Sequence, residues 1–250
     1  TAINKCNGVI KNGLKFNIPD STMSPVLYVE DWNIADIDEM LKKINDTLEE
    51  CETPDVNVEA MVEWENVKDY VHTRMAPASD VEMLKLQGVP FEYFLDLVIY
   101  PVWYDDSKYA MIKITNEMIK VWGIDPGTVF THAFENDEKN VEIMTMAAAL
   151  GVEGADFEDL PMYVVSNVGR AHGASAILTN KVAEIYKGSE WILLPSSVHE
   201  WLLLKDSEEI STEECKAMVR EVNDTVLHKE DILSYNVYRI SKDGEFSCVE

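Results

Sequence analysis

The chain has 250 residues, room for one large domain or two small ones, and 46% of them are hydrophobic, ample for a core. Its 46 Asp and Glu outnumber 21 Lys and Arg to give a net charge of −25, and such a surface repels nucleic-acid phosphates and anionic lipid headgroups. Neither nucleic acid nor a membrane is therefore expected as a partner, and no apolar run approaches the roughly 20 residues needed to span a bilayer.

In chain order, Val9 to Phe16 holds an Asn12-Gly13 pair between apolar-bearing flanks, a hairpin signal because tight turns need the positive φ that Asn and Gly tolerate. Val26 to Val29 reads as a strand. Ile34, Ile37, Met40, Leu41, Ile44 and Leu48 recur at helical spacing, so the pattern predicts an amphipathic helix over 34–50 with an acidic far face. Further helices are predicted over 59–72 and 79–87, the second closed by Gly88 and followed by Pro90. Phe91 to Trp103 and Tyr109 to Ile114 read as strands joined by the polar turn Tyr104-Asp105-Asp106-Ser107. Thr115 or Asn116 caps a helix ending at Gly123, and Asp125-Pro126 opens the next one, with Asp as N-cap and Pro in the first helical position. Residues 141–150 are predicted helical. Gly151 to Pro161, rich in Gly, Asp and Glu, is the candidate boundary between lobes. The chain then reads as an N-terminal α+β lobe (1–155) and a C-terminal α+β lobe (156–250), or as one continuous domain.

Beyond that boundary, Met162 to Ser166 and Ala174 to Leu178 look like strands joined by the loop Asn167 to Gly173. Val182, Ile185 and Tyr186 mark a short helix that stops at Gly188. Ser211 and Glu214 have capping-box spacing and begin a helix with Cys215, Met218, Val219 and Val222 on one face. Tyr235 to Ile240 closes as a strand. Strands joined mainly by hairpins, with helices interspersed and packed on them, predict an α+β fold with mainly antiparallel sheets.

The residues that could carry chemistry concentrate between Trp191 and Leu204, where Ser196, Ser197, His199 and Glu200 sit between two apolar runs. A structural reading has Pro195 break the strand and Ser197 and Glu200 form a capped helical turn inside the core, because each can satisfy the other's backbone N–H at that spacing. A catalytic reading makes His199 a general base, Ser196 or Ser197 the nucleophile, and a carboxylate such as Glu200 the group that orients the imidazole. Against it, strand geometry puts His199 and Glu200 on opposite faces, and no G-x-S-x-G elbow is present. Leu203 stands where a zinc-binding H-E-x-x-H needs its second histidine, and His72, His132, His172 and His228 are scattered, so no metal site is predicted. Arg170 and His172, between Gly169 and Gly173, could bring backbone N–H groups and positive charge to an anionic ligand; the plainer reading is a hairpin loop whose glycines adopt positive φ.

Cys6, Cys51, Cys215 and Cys248 lie far apart, which argues against a zinc site or disulfide framework and for reduced thiols in a cytoplasmic protein. No Walker A sequence, no G-x-G-x-x-G and no EF-hand loop occurs, so no cofactor is predicted. The chain starts at Thr1 without a signal-like segment, and the missing Met points to removal of an N-terminal piece.

Leu194-Pro195-Ser196-Ser197-Val198-His199-Glu200 resembles the LPSS-(I/V)-HE signature of a family of anaerobic gut bacteria that has no assigned activity. Ser24 to Tyr28, Phe94 to Leu97, Thr115 to Glu117, Met162 to Asn167, Gly173 to Leu178, Met218 to Asn223 and Val237 to Arg239 match it as well, so the resemblance spans nearly the whole chain. It implies a bacterial cytoplasmic setting and no mechanism. The leading expectation is a non-catalytic protein that binds a protein or small-molecule partner. A hydrolase using Ser196 or Ser197, His199 and a carboxylate is the alternative, and an acidic decoy for a basic nucleic-acid-binding protein is the third.

Overall fold

A computed structural model describes residues 1–17, 24, 26–29, 37–50, 57–105, 110–151, 162–206 and 211–249. Strands β1 (Ala2–Asn4), β2 (Ile10–Lys15) and β3 (Val26–Tyr28) form a three-stranded antiparallel sheet. The hairpin turn falls at Cys6–Gly8, where Asn7 and Gly8 take φ of 58° and 64°. The expectation of a turn at Asn12-Gly13 is thus corrected: that pair lies inside β2. Gly13 is needed there for close approach, since a Cβ would sit 2.5 Å from Val26 Cγ1 and 2.9 Å from the Leu27 carbonyl oxygen.

Helix α1 (Ile37–Glu50) follows the predicted apolar spacing and buries Ile44. The single helix predicted over 59–72 is replaced by a 3-10 turn (Ala60–Val62), α2 (Trp64–Val67), a second 3-10 turn (Lys68–Tyr70) and then β4 (Val71–Pro77). Six consecutive residues of β4 are buried, including His72, Thr73 and Arg74, so the apolar–polar alternation that marks a half-exposed strand is missing. A 3-10 turn (Ala78–Asp80) leads into α3 (Val81–Leu86), which ends at Gly88 with φ 66°.

The stretch read as one strand from Phe91 divides into β5 (Glu92–Phe94) and β6 (Leu97–Asp105), reversed by Leu95 and Asp96 with Leu95 at φ 55°. β7 (Ala110–Lys113) follows. β6 organises a four-stranded antiparallel sheet: β4 pairs along it from Leu97 to Trp103, β5 takes residues 97–99 and β7 residues 102–105. Helix α4 (Asn116–Trp122) is capped by Thr115 and stops at Gly123, and α5 (Pro126–Asn140) is capped by Asp125, whose Oδ1 accepts the Thr128 N–H at 3.1 Å. Both caps are as expected.

The helix predicted over 141–150 is half strand: β8 (Val141–Thr145) pairs with β9 (Met162–Asn167), and only α6 (Met146–Leu150) is helical. Ala174–Leu178, expected as a strand, is a buried 3-10 turn. Then come α7 (Asn180–Tyr186), β10 (Trp191–Ser197), β11 (Glu200–Lys205), α8 (Thr212–Thr225) with its capping box formed, a 3-10 turn (Lys229–Asp231), β12 (Val237–Ile240) and β13 (Phe246–Val249). These strands complete a six-stranded antiparallel sheet in the order β13-β12-β10-β11-β9-β8. The fold is α+β with antiparallel sheets.

Burial on both sheet faces explains the unbroken apolar runs of β10 and β11. Trp191, Leu193, Trp201 and Leu203 face one core with Met75, Leu97, Ile99, Phe130, Ile177 and Tyr238. Ile192, Leu194 and Leu204 face another, closed by Cys215 and Val219 of α8. Each such aliphatic side chain removed from water contributes about 1.5–3 kcal/mol. The first core joins side chains from both sides of residue 155. Among the described residues no helix is long and apolar enough to cross a membrane. Asp106 and Ser107, Cys51, and the proposed boundary beyond Gly151 lie outside the described residues.

Candidate functional site

The hairpin of β10 and β11 carries the residues singled out by their chemistry. Its pairing runs from Trp191 opposite Lys205 to Pro195 opposite Trp201, shifts at Ser196, and closes with Ser197 opposite Glu200. Pro195 does not end the strand, because β12 pairs only with Trp191 to Leu193 and the missing N–H breaks no bond on that side. The expected helical capping turn is therefore absent: Val198 and His199 form a two-residue reversal between strands. Ser197 Oγ accepts the N–H of His199 at 3.1 Å, and Ser196 Oγ donates to Glu200 Oε1 at 3.2 Å.

This reversal is tied to the loop that follows β9. The His199 carbonyl accepts the Gly173 N–H (3.0 Å) and the Ser166 hydroxyl (2.8 Å), and the Val198 carbonyl accepts the Ala174 N–H. Asn167 braces the loop from within, its amide donating to the Ala171 carbonyl and accepting the Ala171 N–H, each at 3.0 Å. Positive φ falls on Arg170 (50°) and His172 (53°), whereas Gly173 has φ −90°. Gly173 serves contact instead, since a Cβ would lie 2.4 Å from the Asn167 nitrogen and 2.9 Å from the His199 carbonyl oxygen.

The imidazole of His199 is engaged at both nitrogens. Nδ1 accepts the backbone N–H of His172 at 2.9 Å, and Nε2 faces Asp231 Oδ1 at 3.5 Å. Asp231 is held by a neighbouring anchor: the amide of Asn7, at the tip of the β1–β2 hairpin, donates to the carbonyls of Lys229 and Ile232. The rings of His172 and His199 pack with centroids 4.9 Å apart. Burial first, and then the charges of His199, Arg74 and Lys5, lower the His172 pKa from 6.5 to about 4, so His172 is neutral near pH 7. Arg170, by contrast, is half-exposed and pairs with Glu142 of β8 at 3.0 Å, a surface contact worth at most about 1 kcal/mol.

The structure thus brings His172 to His199 and keeps both serines off the imidazole. Ser196 borders a groove of about 200 Å³ against Met218 and Val222 of α8, and His199 is not part of its lining. The carboxylate facing His199 is Asp231, not Glu200; nothing in the local sequence pattern pointed to it. Cys6 is no nucleophile at neutral pH, because burial and nearby Asp80 push its thiol up to about 12. Among the described residues, no three His, Cys, Asp or Glu side chains gather to hold a metal ion.

A second polar system, hidden by the misread β4, was missed. Asp137 of α5 accepts from His72 Nδ1 at 2.9 Å and, with its other oxygen, from the Thr73 N–H (3.0 Å) and hydroxyl (2.5 Å). Beside it, Arg74 is 2% exposed, donates Nη1 to the Thr73 carbonyl and stacks 4.8 Å from the Tyr104 ring centroid. Its Nε and Nη2 are buried without a hydrogen-bond partner among the described residues, and burial lowers its pKa. A strand read as strand would have shown His72, Thr73 and Arg74 on a buried element, the signal of a polar site.

Fold and site define an antiparallel α+β protein whose serine and histidine side chains serve a backbone reversal. Residues 1–242 match the model of a family of unknown function, DUF5688, and the chain belongs to that family. No curated protein and no solved structure matches it significantly.

Proposed function

We propose that this chain is a binding protein that takes a protein or small-molecule partner and performs no hydrolysis. The observation that supports this reading is the state of His199: one ring nitrogen holds a backbone N–H, the other faces Asp231, and both serine hydroxyls bond elsewhere. A general base must reach the proton it removes, and here neither nitrogen is offered to a serine. The proposed setting is the cytoplasm of an anaerobic gut bacterium, supported by the LPSS-(I/V)-HE resemblance and by free thiols at Cys6 and Cys215. The test is a hydrolase screen with ester, peptide, glycoside and phosphoester substrates, run on the purified chain and on His199→Ala. No turnover above the blank is expected; turnover that His199→Ala abolishes overturns the reading.

A further inference from the structure

We propose that the groove between α8 and the β10–β11 hairpin is the ligand site of this binding protein and that it takes a small, neutral aromatic molecule carrying one N–H or O–H donor; this deepens the binding reading and rests on it. The groove measures about 200 Å³ and lies between Met162, Leu194, Pro195 and Leu202 on the sheet and Met218 and Val222 on α8. α8 reaches the sheet through Cys215 and Val219, which are buried, while Met218 and Val222, one turn apart on its flank, stay 40% and 37% exposed. An apolar cavity of about 150 Å³ holds one benzene ring, so this groove suits a ring system slightly larger than that.

Asn223 supplies the directional element. It is 3% exposed and forms part of the groove wall. Its Nδ2 donates to the Ser234 carbonyl at 2.9 Å, and because a carbonyl only accepts, this bond settles which end of the amide is oxygen. The other end, Oδ1, is therefore an acceptor, and it is buried without a hydrogen-bond partner among the described residues. Ser196, also in the wall, commits its hydroxyl proton to Glu200 Oε1. A buried acceptor that has left water and met no donor is costly, so a guest that brings one N–H or O–H to Asn223 gains what a purely apolar guest does not.

The rest of the lining selects the kind of ring and its charge. Met162 brings a thioether from the sheet and Met218 one from the helix. Sulfur packs favourably against aromatic rings, and the unbranched methionine side chain adapts to a flat guest. Among the described residues of the lining Glu221 is the one charged group, and it is exposed. It repels a carboxylate. An ammonium group drawn to Glu221 stays at the solvent edge, because burying a charge against an apolar wall costs far more than burying a neutral donor that is hydrogen-bonded. A neutral ring with one donor satisfies both the wall and Asn223.

Indole is a suitable probe, with benzothiophene as its isostere lacking the N–H and indole-3-carboxylate as its anionic counterpart. Each is titrated into the intact chain while the Asn223 side-chain amide and the methionine methyl groups are followed by NMR and the heat by calorimetry. Indole is expected to bind with a Kd of about 1 mM or tighter and to move the Asn223 amide and the Met162 and Met218 methyl resonances. Benzothiophene and indole-3-carboxylate should each bind at least about tenfold more weakly. Asn223→Leu should abolish the preference for indole over benzothiophene. Val222→Glu, a change at a half-exposed position that leaves the Asn223–Ser234 bond alone, should weaken indole about tenfold and carries the test if the Asn223 variant does not fold. Absence of an Asn223 response to indole, or equal affinity for indole and benzothiophene, overturns the inference. That result leaves the binding reading standing, whereas turnover in the hydrolase screen removes that reading and does not touch the groove titration.

Discussion

Acidification from pH 6.5 to 4 should cost this protein stability through His172, and the size of the loss follows from its surroundings. In the unfolded chain His172 takes a proton near its ordinary value of 6.5; in the folded chain burial, with His199, Arg74 and Lys5 adding positive charge, holds it neutral down to about 4. Between these values the unfolded state binds a proton that the folded state refuses, so acid favours unfolding. The stabilisation is complete above pH 6.5, declines as the pH falls, and is gone below about 4. At about 1.4 kcal/mol per pH unit of separation the full loss is about 3 kcal/mol, of which about 2 kcal/mol is gone at pH 5. The perturbation is His172→Asn, because Asn does not titrate there and tolerates the positive φ of that position. Urea unfolding of both proteins at several values between pH 7 and pH 4 gives the stability gap at each pH. Any pH-independent cost of the substitution shifts the whole curve, so the change in the gap isolates the titration. A gap that stays constant across this range, or an NMR titration of His172 with a midpoint between 6 and 7, refutes the reasoning.

Two further substitutions test the local architecture. Gly173→Ala places a Cβ 2.4 Å from the Asn167 nitrogen and 2.5 Å from Ser166 Oγ, so the loop must shift away from the hairpin reversal. A loss of about 3 kcal/mol in urea unfolding is expected, with movement of the His199 ring resonances; a cost under about 0.5 kcal/mol would contradict the close packing. Ser211→Ala removes the hydroxyl that accepts the Glu214 N–H at 3.2 Å and donates to its carboxylate at 2.7 Å. The cost should be about 1 kcal/mol, seen as a drop of about 3 °C in thermal midpoint, and an unchanged midpoint would show that the cap carries no load.

The features legible in the sequence are those whose cause is local. The Thr115, Asp125 and Ser211 caps each satisfy an N–H three residues ahead, and Gly88, Gly123 and Gly188 end their segments with positive φ. The misread segments depend on distant partners instead. β4 carries His72, Thr73 and Arg74 because β6 covers its edge and Asp137 supplies acceptors from α5, so a polar stretch could be buried as strand. β8 is a strand because β9 pairs with it, although the residues around it fit a helix as well. With Asn-Gly the local rule held and the choice between two copies did not: Asn7-Gly8 turns because Asn7 is anchored to Lys229 and Ile232, while Gly13 is pressed against β3.

The stretch from Trp191 to Leu204 shows the same division. Two apolar runs around a polar centre determined that the chain reverses inside a core, because side chains this apolar must be removed from water on both faces of a sheet. Whether His199 would meet a serine, a carboxylate or a backbone amide was decided only by tertiary structure. Its partner N–H lies 27 residues earlier in the chain, on a loop whose approach depends on Gly173. A half-buried imidazole bonds to whatever the fold brings within about 3 Å, and no local spacing encodes that.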